Sequence, residues 1–421
     1  MADQTVALID QLSSLRSKLA SGEDDYNSRT EALRLTKRIT AGLEQPETAA
    51  LELAYTPFFA VAARIADGLN LFKHIANHGG PISSEKLAAI SHGEELLIVR
   101  TLRLLATVGF VNEVGFQKWE ATAITRAMAT DEIAAGHRMV GEMIVEAVQN
   151  APKYFREAGY RCPTEPRDGL MQYAFQTKLT TFEFFSSMPW VLKDFNTFMG
   201  NTMGGRRYWT DWFPVQERLL DGANETSALL VDVGGGKGHD VLAFLAKHPE
   251  KGRRLILQDL APVISDLECV DSAIERMTYD FFTEQPVQGN ANRHFFASSF
   301  LNGLGTKSDT GARAYFFHHI FHDWSDKYCL KILEQVRKAM APGYSKLIIH
   351  ELIIPEQNAD RFSVGFDMIM MAFNSGMERT ERQWKGLLSR AGFQHIRAWP
   401  APEAGADSVV EAMIEEQCEM R

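Results

Sequence analysis

Residues 229–240, LLVDVGGGKGHD, decide how the rest of this chain is read. A short apolar strand, Leu229 to Val233 broken only by Asp232, runs straight into Gly234, Gly235, Gly236, Lys237 and Gly238. Val241 to Ala246 follows and can start a helix. Glycines at 234, 236 and 238 allow a tight turn and keep side chains out of a ligand's way. A second strand, Arg254 to Gln258, ends at Asp259, 21 residues after Gly238. A carboxylate at that distance can accept hydrogen bonds from both ribose hydroxyls of a nucleoside. Strand, glycine loop, helix, strand and acid open a Rossmann-like, doubly wound α/β sheet.

The spacing narrows the nucleoside. A dinucleotide fingerprint, G-x-G-x-x-G, needs a small third residue so that helix and strand can pack closely. Counted from Gly234, that place holds His239, and the run is G-x-G-x-G with Asp232 just before it. This pattern suits S-adenosylmethionine (SAM) better than a dinucleotide. Asp232, Gly234, Gly235, Gly236 and Asp259 are therefore candidate cofactor contacts.

Residues 225–421 alternate strand and helix patterns, as a doubly wound sheet requires. After Asp259 comes MTYDFF (277–282), whose Asp280 puts a second acid at a strand end. The strand Ala314 to Phe317 leads into HHIFHDWSD (318–326). Ligands of open α/β sheets sit beyond the carboxyl ends of strands, so this segment falls at the mouth of the cofactor site. The strand Lys346 to His350 ends at Glu351, and MERTE (377–381) follows a Met-rich helix, Phe366 to Phe373. A sulfonium methyl is already activated. What helps its transfer is removal of a proton from a weakly acidic hydroxyl and alignment of that oxygen. Histidine is the natural base, and a carboxylate on its second ring nitrogen fixes tautomer and orientation. His322, with Glu351 and Glu378, supplies one base and two candidate orienters.

Upstream, residues 1–50 read as a charged helical arm with Leu8, Leu12, Leu15 and Leu19 at helical spacing. Residues 51–130 read as helices followed by a β-hairpin around Gly115, a winged-helix arrangement. Leu97, Leu102, Leu104, Leu105 and Val108 are its expected buried helix face. Residues 131–215 look helical and rich in aromatic and Met side chains, from Tyr154 to Met203, suited to core or to the wall of a flat apolar pocket. A net charge of −10 and no basic stripe argue against nucleic acid. No apolar run approaches the ~20 residues of a bilayer span, and no secretory signal is evident. Cys162, Cys269, Cys329 and Cys418 are scattered, which predicts free thiols in a cytoplasmic protein.

The run HDWSDKYCLKIL (322–333), with VDVGGGKG before it and GMERTERQW (376–384) after it, resembles the plant and fungal SAM-dependent O-methyltransferases that act on phenols. The segment 168–199 resembles the fungal branch. The resemblance implies His322 as base, with Glu351 and Glu378 as the carboxylates flanking it. It implies Gly234 and Asp259 at the cofactor, Asp280 and Phe281 at its adenine, and Asp323 and Asn374 near the substrate's oxygens. It also implies a homodimer, a small aromatic or polyketide-type substrate, and a reaction that needs no metal. Plant members commonly carry Lys where this chain has His318, a candidate cofactor contact. A second departure is a 22-residue insertion, Asn290–Gly311, expected to be a loop outside the core or an artefact of the gene model. Two other classes compete: a SAM-retaining pericyclase or cyclase, in which fungal relatives have lost the base, and a non-catalytic partner subunit. Intact His322, Glu351 and Glu378 argue against both.

Overall fold

The structure is a computed structural model that describes residues 2–21, 26–199, 207–249, 253–267, 270–288, 311–403 and 405–415. The insertion Asn290–Gly311, apart from Gly311, lies outside the described residues, as do Met203, Cys269 and Cys418. The chain forms two compact units. One comprises residues 1–146 with 185–204, the other 147–184 with 205–421. The first unit thus extends past the expected boundary near 130 and recovers a later segment.

That segment returns for a chemical reason. Arg138 forks onto Asp194 with Nε and one terminal nitrogen, each 2.8 Å from a carboxylate oxygen, and its other terminal nitrogen reaches Asp67 at 3.0 Å. The ring of Phe198 lies against Gly136, filling the space a Cβ would need. In the same unit β1 (Ile82–Ser83), β2 (Val111–Gly115) and β3 (Lys118–Ala121) form an antiparallel sheet in the order β1-β3-β2. The hairpin turns through Phe116 and Gln117, the latter at φ 51°. Thr122 then starts the next helix with a capping box, its hydroxyl accepting from Thr125 N while Thr125 Oγ1 accepts from Thr122 N.

Two expectations hold only in part here. The helix Glu95–Ala106 buries Ile98, Val99, Leu102 and Leu105, whereas Leu97 and Val108 are exposed. Leu102 and Leu105 are buried as expected and Leu104 is half-buried, while Val108 lies beyond the helix end. The helix Pro46–Gly68 is long and apolar enough to cross a membrane by length and composition, although no such run was expected. Alanines and aromatics raise its mean hydropathy around Glu52, so no unbroken apolar run announces it. It leaves Leu51, Leu53, Tyr55, Phe58 and Val61 exposed.

The second unit is built on a seven-stranded sheet. Its strands are β4 (Ala228–Val233), β5 (Arg254–Asp259), β6 (Ile274–Thr278), β7 (Ala314–His318), β8 (Lys346–Glu351), β11 (Gln394–Trp399) and β12 (Ser408–Met413). The spatial order is β11-β12-β8-β7-β4-β5-β6. The β8 to β6 run is parallel, and β12 is antiparallel to both its neighbours. Every residue of β4 and β8 is buried, as expected for strands covered on both faces. Strand order reverses between β4 and β7, the switch point where such sheets open a crevice. A parallel pair, β9 (Ile353–Ile354) with β10 (Arg379–Thr380), continues the chain beyond β8. It brings Glu378 back over the β7 end.

Candidate active site

The glycine loop is pinned to β5 before it meets any ligand. Gly234 N and Gly235 N both donate to the Gln258 carbonyl, at 2.8 and 3.2 Å. Gly234 and Gly236 have φ of 72° and 56°, values that favour glycine. Gly236 N donates to Asp259 Oδ2 at 2.8 Å, and Leu260 N to Asp259 Oδ1 at 2.7 Å. Each Asp259 oxygen keeps a second lone-pair direction for a hydroxyl donor. Burial raises the Asp259 carboxyl above the usual carboxylate range, against the pull of those two amides. A Cβ on Gly234 would stand 2.5 Å from Ile320 Cδ1 and 3.8 Å from Phe281, so the first glycine looks onto two apolar groups. Space above Gly236 is open to 4 Å. A hydroxyl-accepting acid, an open glycine cradle and an adjacent phenylalanine together fit a nucleoside.

Three expected contacts stand differently. Asp232 is 1% exposed and packs beneath the loop, in the space a Cβ on Gly235 would fill. It supports the loop from behind and offers a ligand no surface. Burial, then the nearby Asp240, pushes its carboxyl well up, towards the neutral form. Asp280 is exposed and caps its own turn by accepting Phe282 N at 3.0 Å. His318 is nearly buried, and its Nδ1 meets Asp240 Oδ2 at 2.7 Å.

Beyond β7 and β8 lie the acid–base groups. His322 is 5% exposed, and its Nδ1 lies 2.7 Å from Glu378 Oε1. Burial lowers the basicity of His322 and raises the Glu378 carboxyl to about 8. Of the two neutral tautomers, the one with its proton on Nδ1 donates to Glu378 and leaves Nε2 free to accept. Nε2 faces Asp323 Oδ1 at 3.7 Å, too far for a hydrogen bond. Burial raises the Asp323 carboxyl to about 7. Asn374 is buried and donates through Nδ2 to the Asp323 carbonyl at 3.2 Å. Glu351 does not hold the ring. Its Oε1 accepts the backbone N–H groups of Ile320, Phe321 and His322 at 3.1, 2.6 and 3.3 Å. It fixes the turn that carries the histidine.

Several groups in this framework escaped the sequence reading. Arg379 is buried and donates to the carbonyls of Phe321 at 3.0 Å and Trp324 at 2.9 Å, gripping the same turn from the other side. Asp367 accepts Glu378 N at 2.8 Å. A Cβ on Gly376 would overlap the His322 carbonyl oxygen, so that glycine admits the close passage of two backbones. His319, at φ 52°, stacks on the His322 ring at 4.9 Å, and its Nε2 lies 3.0 Å from Asp407. Arg379 adjoins Glu378 in the MERT run, which was the available signal. For Asp407 the sequence held none.

Known proteins resemble this arrangement. Residues 215–394 match the family model described as an O-methyltransferase domain. The chain is 46% identical over 412 residues to O-methyltransferase penC of Penicillium thymicola, covering 98% of this chain and 97% of that protein. It is 49% identical over 359 residues to O-methyltransferase asqD of Emericella nidulans, covering 85% and 87%. Among solved structures, LepI in complex with SAM superposes with a TM-score of 0.82 at 28% identity, covering 99% of this chain and all of that one. OxaC in complex with SAH and oxaline shares the fold, with a TM-score of 0.81 at 24% identity over 98% of this chain and all of that one.

Proposed function

The chain belongs to the SAM-dependent O-methyltransferases of fungal secondary metabolism, and on that premise we propose that it methylates a phenolic or enolic hydroxyl of an aromatic, polyketide-type natural product, with His322 as general base. One observation carries this reading. The His322 ring is held on one edge by Glu378 at 2.7 Å, while the other edge presents a nitrogen with no hydrogen-bond partner. SAM supplies a methyl already activated by its sulfonium. The protein's task is to take one proton and hold one oxygen in line.

Each group then has a role. Asp259 and the Gly234–Gly236 loop hold the nucleoside, and Phe281 flanks its base. His322 Nε2 receives the hydroxyl proton while Glu378 balances the imidazolium that forms. Asp323 lies 3.7 Å from that nitrogen and Asn374 is bonded to the Asp323 carbonyl, and in this reading the two hold the acceptor's oxygens. Exposed Leu51, Leu53, Tyr55, Phe58 and Val61 on the helix Pro46–Gly68 support a homodimer, in which a second copy covers them. This carries the sequence expectation of a cytoplasmic dimer forward. Sedimentation at monomer mass at micromolar concentration would contradict the dimer.

A SAM-retaining pericyclase is the second reading, because a solved pericyclic-reaction enzyme superposes with a TM-score of 0.81 at 27% identity. One experiment separates the two. SAM binding is measured by calorimetry, and the same sample is incubated with a panel of phenolic polyketides and analysed by mass. Binding with a gain of one methyl supports the transferase. Binding with rearranged products of unchanged mass favours the pericyclase.

A further inference from the structure

Behind the base lies a second group of histidines and acids with its own geometry. His318 ends β7, His350 lies beside it on β8 in register, and Asp407 immediately precedes β12. The His318 and His350 rings are 4.3 Å apart. Asp407 is 4% exposed and sits between two imidazoles. Its Oδ1 is 3.0 Å from His319 Nε2 and its Oδ2 is 3.9 Å from His318 Nε2. Ligand atoms of these three residues all lie within 4.8 Å of one another. Both Nε2 atoms are buried and face the Asp407 carboxylate.

We infer that His318, His319 and Asp407 form a binding site for one divalent transition-metal ion of the zinc class, with Asp240 as the outer partner that orients His318. Three features carry this. An ion about 2.1 Å from each ligand requires ligand–ligand separations of about 3 to 4 Å, which the two Asp407 distances already meet. A ligating histidine normally gives its second nitrogen to a carboxylate, and His318 Nδ1 is 2.7 Å from Asp240. Two imidazoles and a carboxylate select zinc, cobalt, nickel or iron over magnesium or calcium, whose preferred ligands are oxygens. His319, with 28% of its side chain exposed, is the open side of the site, where water completes the coordination.

The base pair His322–Glu378 contributes no ligand to this site, although His319 stacks on the His322 ring.

The test is a titration of tag-free, EDTA-treated full-length protein with Co2+, read by visible absorption and calorimetry. One ion per chain with the intense visible bands of low-symmetry cobalt is expected. His319→Ala and Asp407→Asn should abolish those bands. Asp240→Asn should weaken binding by about 10- to 100-fold. Circular dichroism checks each fold, and His319→Ala, at the open edge, keeps the test available should Asp407→Asn fail to fold. Absence of stoichiometric binding to the wild type, or bands that persist in a folded His319→Ala variant, would overturn the site.

Discussion

The two sides of the cleft are built by different means. On the β4–β5 side, Gly234, Gly236 and Asp259 lie within a short stretch of chain and are joined by backbone contacts such as Gly236 N to Asp259 at 2.8 Å. On the β7–β8 side, His322 depends on Glu378, 56 residues away, and on Glu351, 29 residues away. The first side is a local motif that any chain with these glycines can approach. The second exists only once β8, β9 and β10 have been assembled. Binding should therefore be robust and divisible, whereas catalysis should be lost as a unit.

The most severe break should come from His322→Ala. Turnover should fall by about a hundredfold or more while SAM affinity stays within a factor of two or so of wild type. A matching loss of affinity would mean that the two sides are not separable. Glu351→Ala comes next. It strips the acceptor from three backbone N–H groups, and urea unfolding should show a loss on the order of 3 kcal/mol. Unchanged stability would return Glu351 to a purely catalytic role. Glu378→Gln keeps the shape but alters which ring nitrogen carries the proton, and kcat should drop by about 10- to 100-fold with little change in melting temperature.

Asp259→Ala touches only the other side. Calorimetry should record SAM binding weakened by about tenfold or more, since two hydroxyl contacts and the Gly236 anchor are lost together. The smallest effect should be at Gly236→Ala. Its φ of 56° strains any other residue by about 1 kcal/mol, while the open space around it avoids a clash. The pH profile sharpens the contrast. Burial lowers His322 below the ordinary imidazole value of about 6.5, so the ring stays neutral at pH 7. The acid limb of kcat should have its midpoint below that value, as the ring gains a second proton only there. A midpoint above 7 would require a different base.

Legibility followed the same divide. The strand–loop–strand unit was readable because period, glycine placement and the acid all fall within one window. His322 was readable because HDWSD and MERTE are compact motifs. The role of Glu351 was not, since the sequence cannot show whether a carboxylate reaches a ring or the backbone beside it. Asp232 misled for a related reason: adjacency to the glycine loop does not tell above from below. On Glu95–Ala106, Leu102 and Leu105 are buried as read, but Ile98 and Val99 take the place given to Leu97, because neighbouring positions are all apolar and only packing selects a stripe among them.

By itself the sequence determined the class of fold and the family, and offered candidates for the nucleoside loop, the ribose acid and the base, because each rests on short-range geometry. Tertiary structure alone decided that of the two candidate carboxylates Glu378 holds the His322 ring, that Glu351 and Arg379 hold its turn, and that Asp407 joins His318 and His319. These contacts join residues far apart in the chain through the order of the sheet. Strand order is a property of the packed whole, in which burial and pairing are satisfied together.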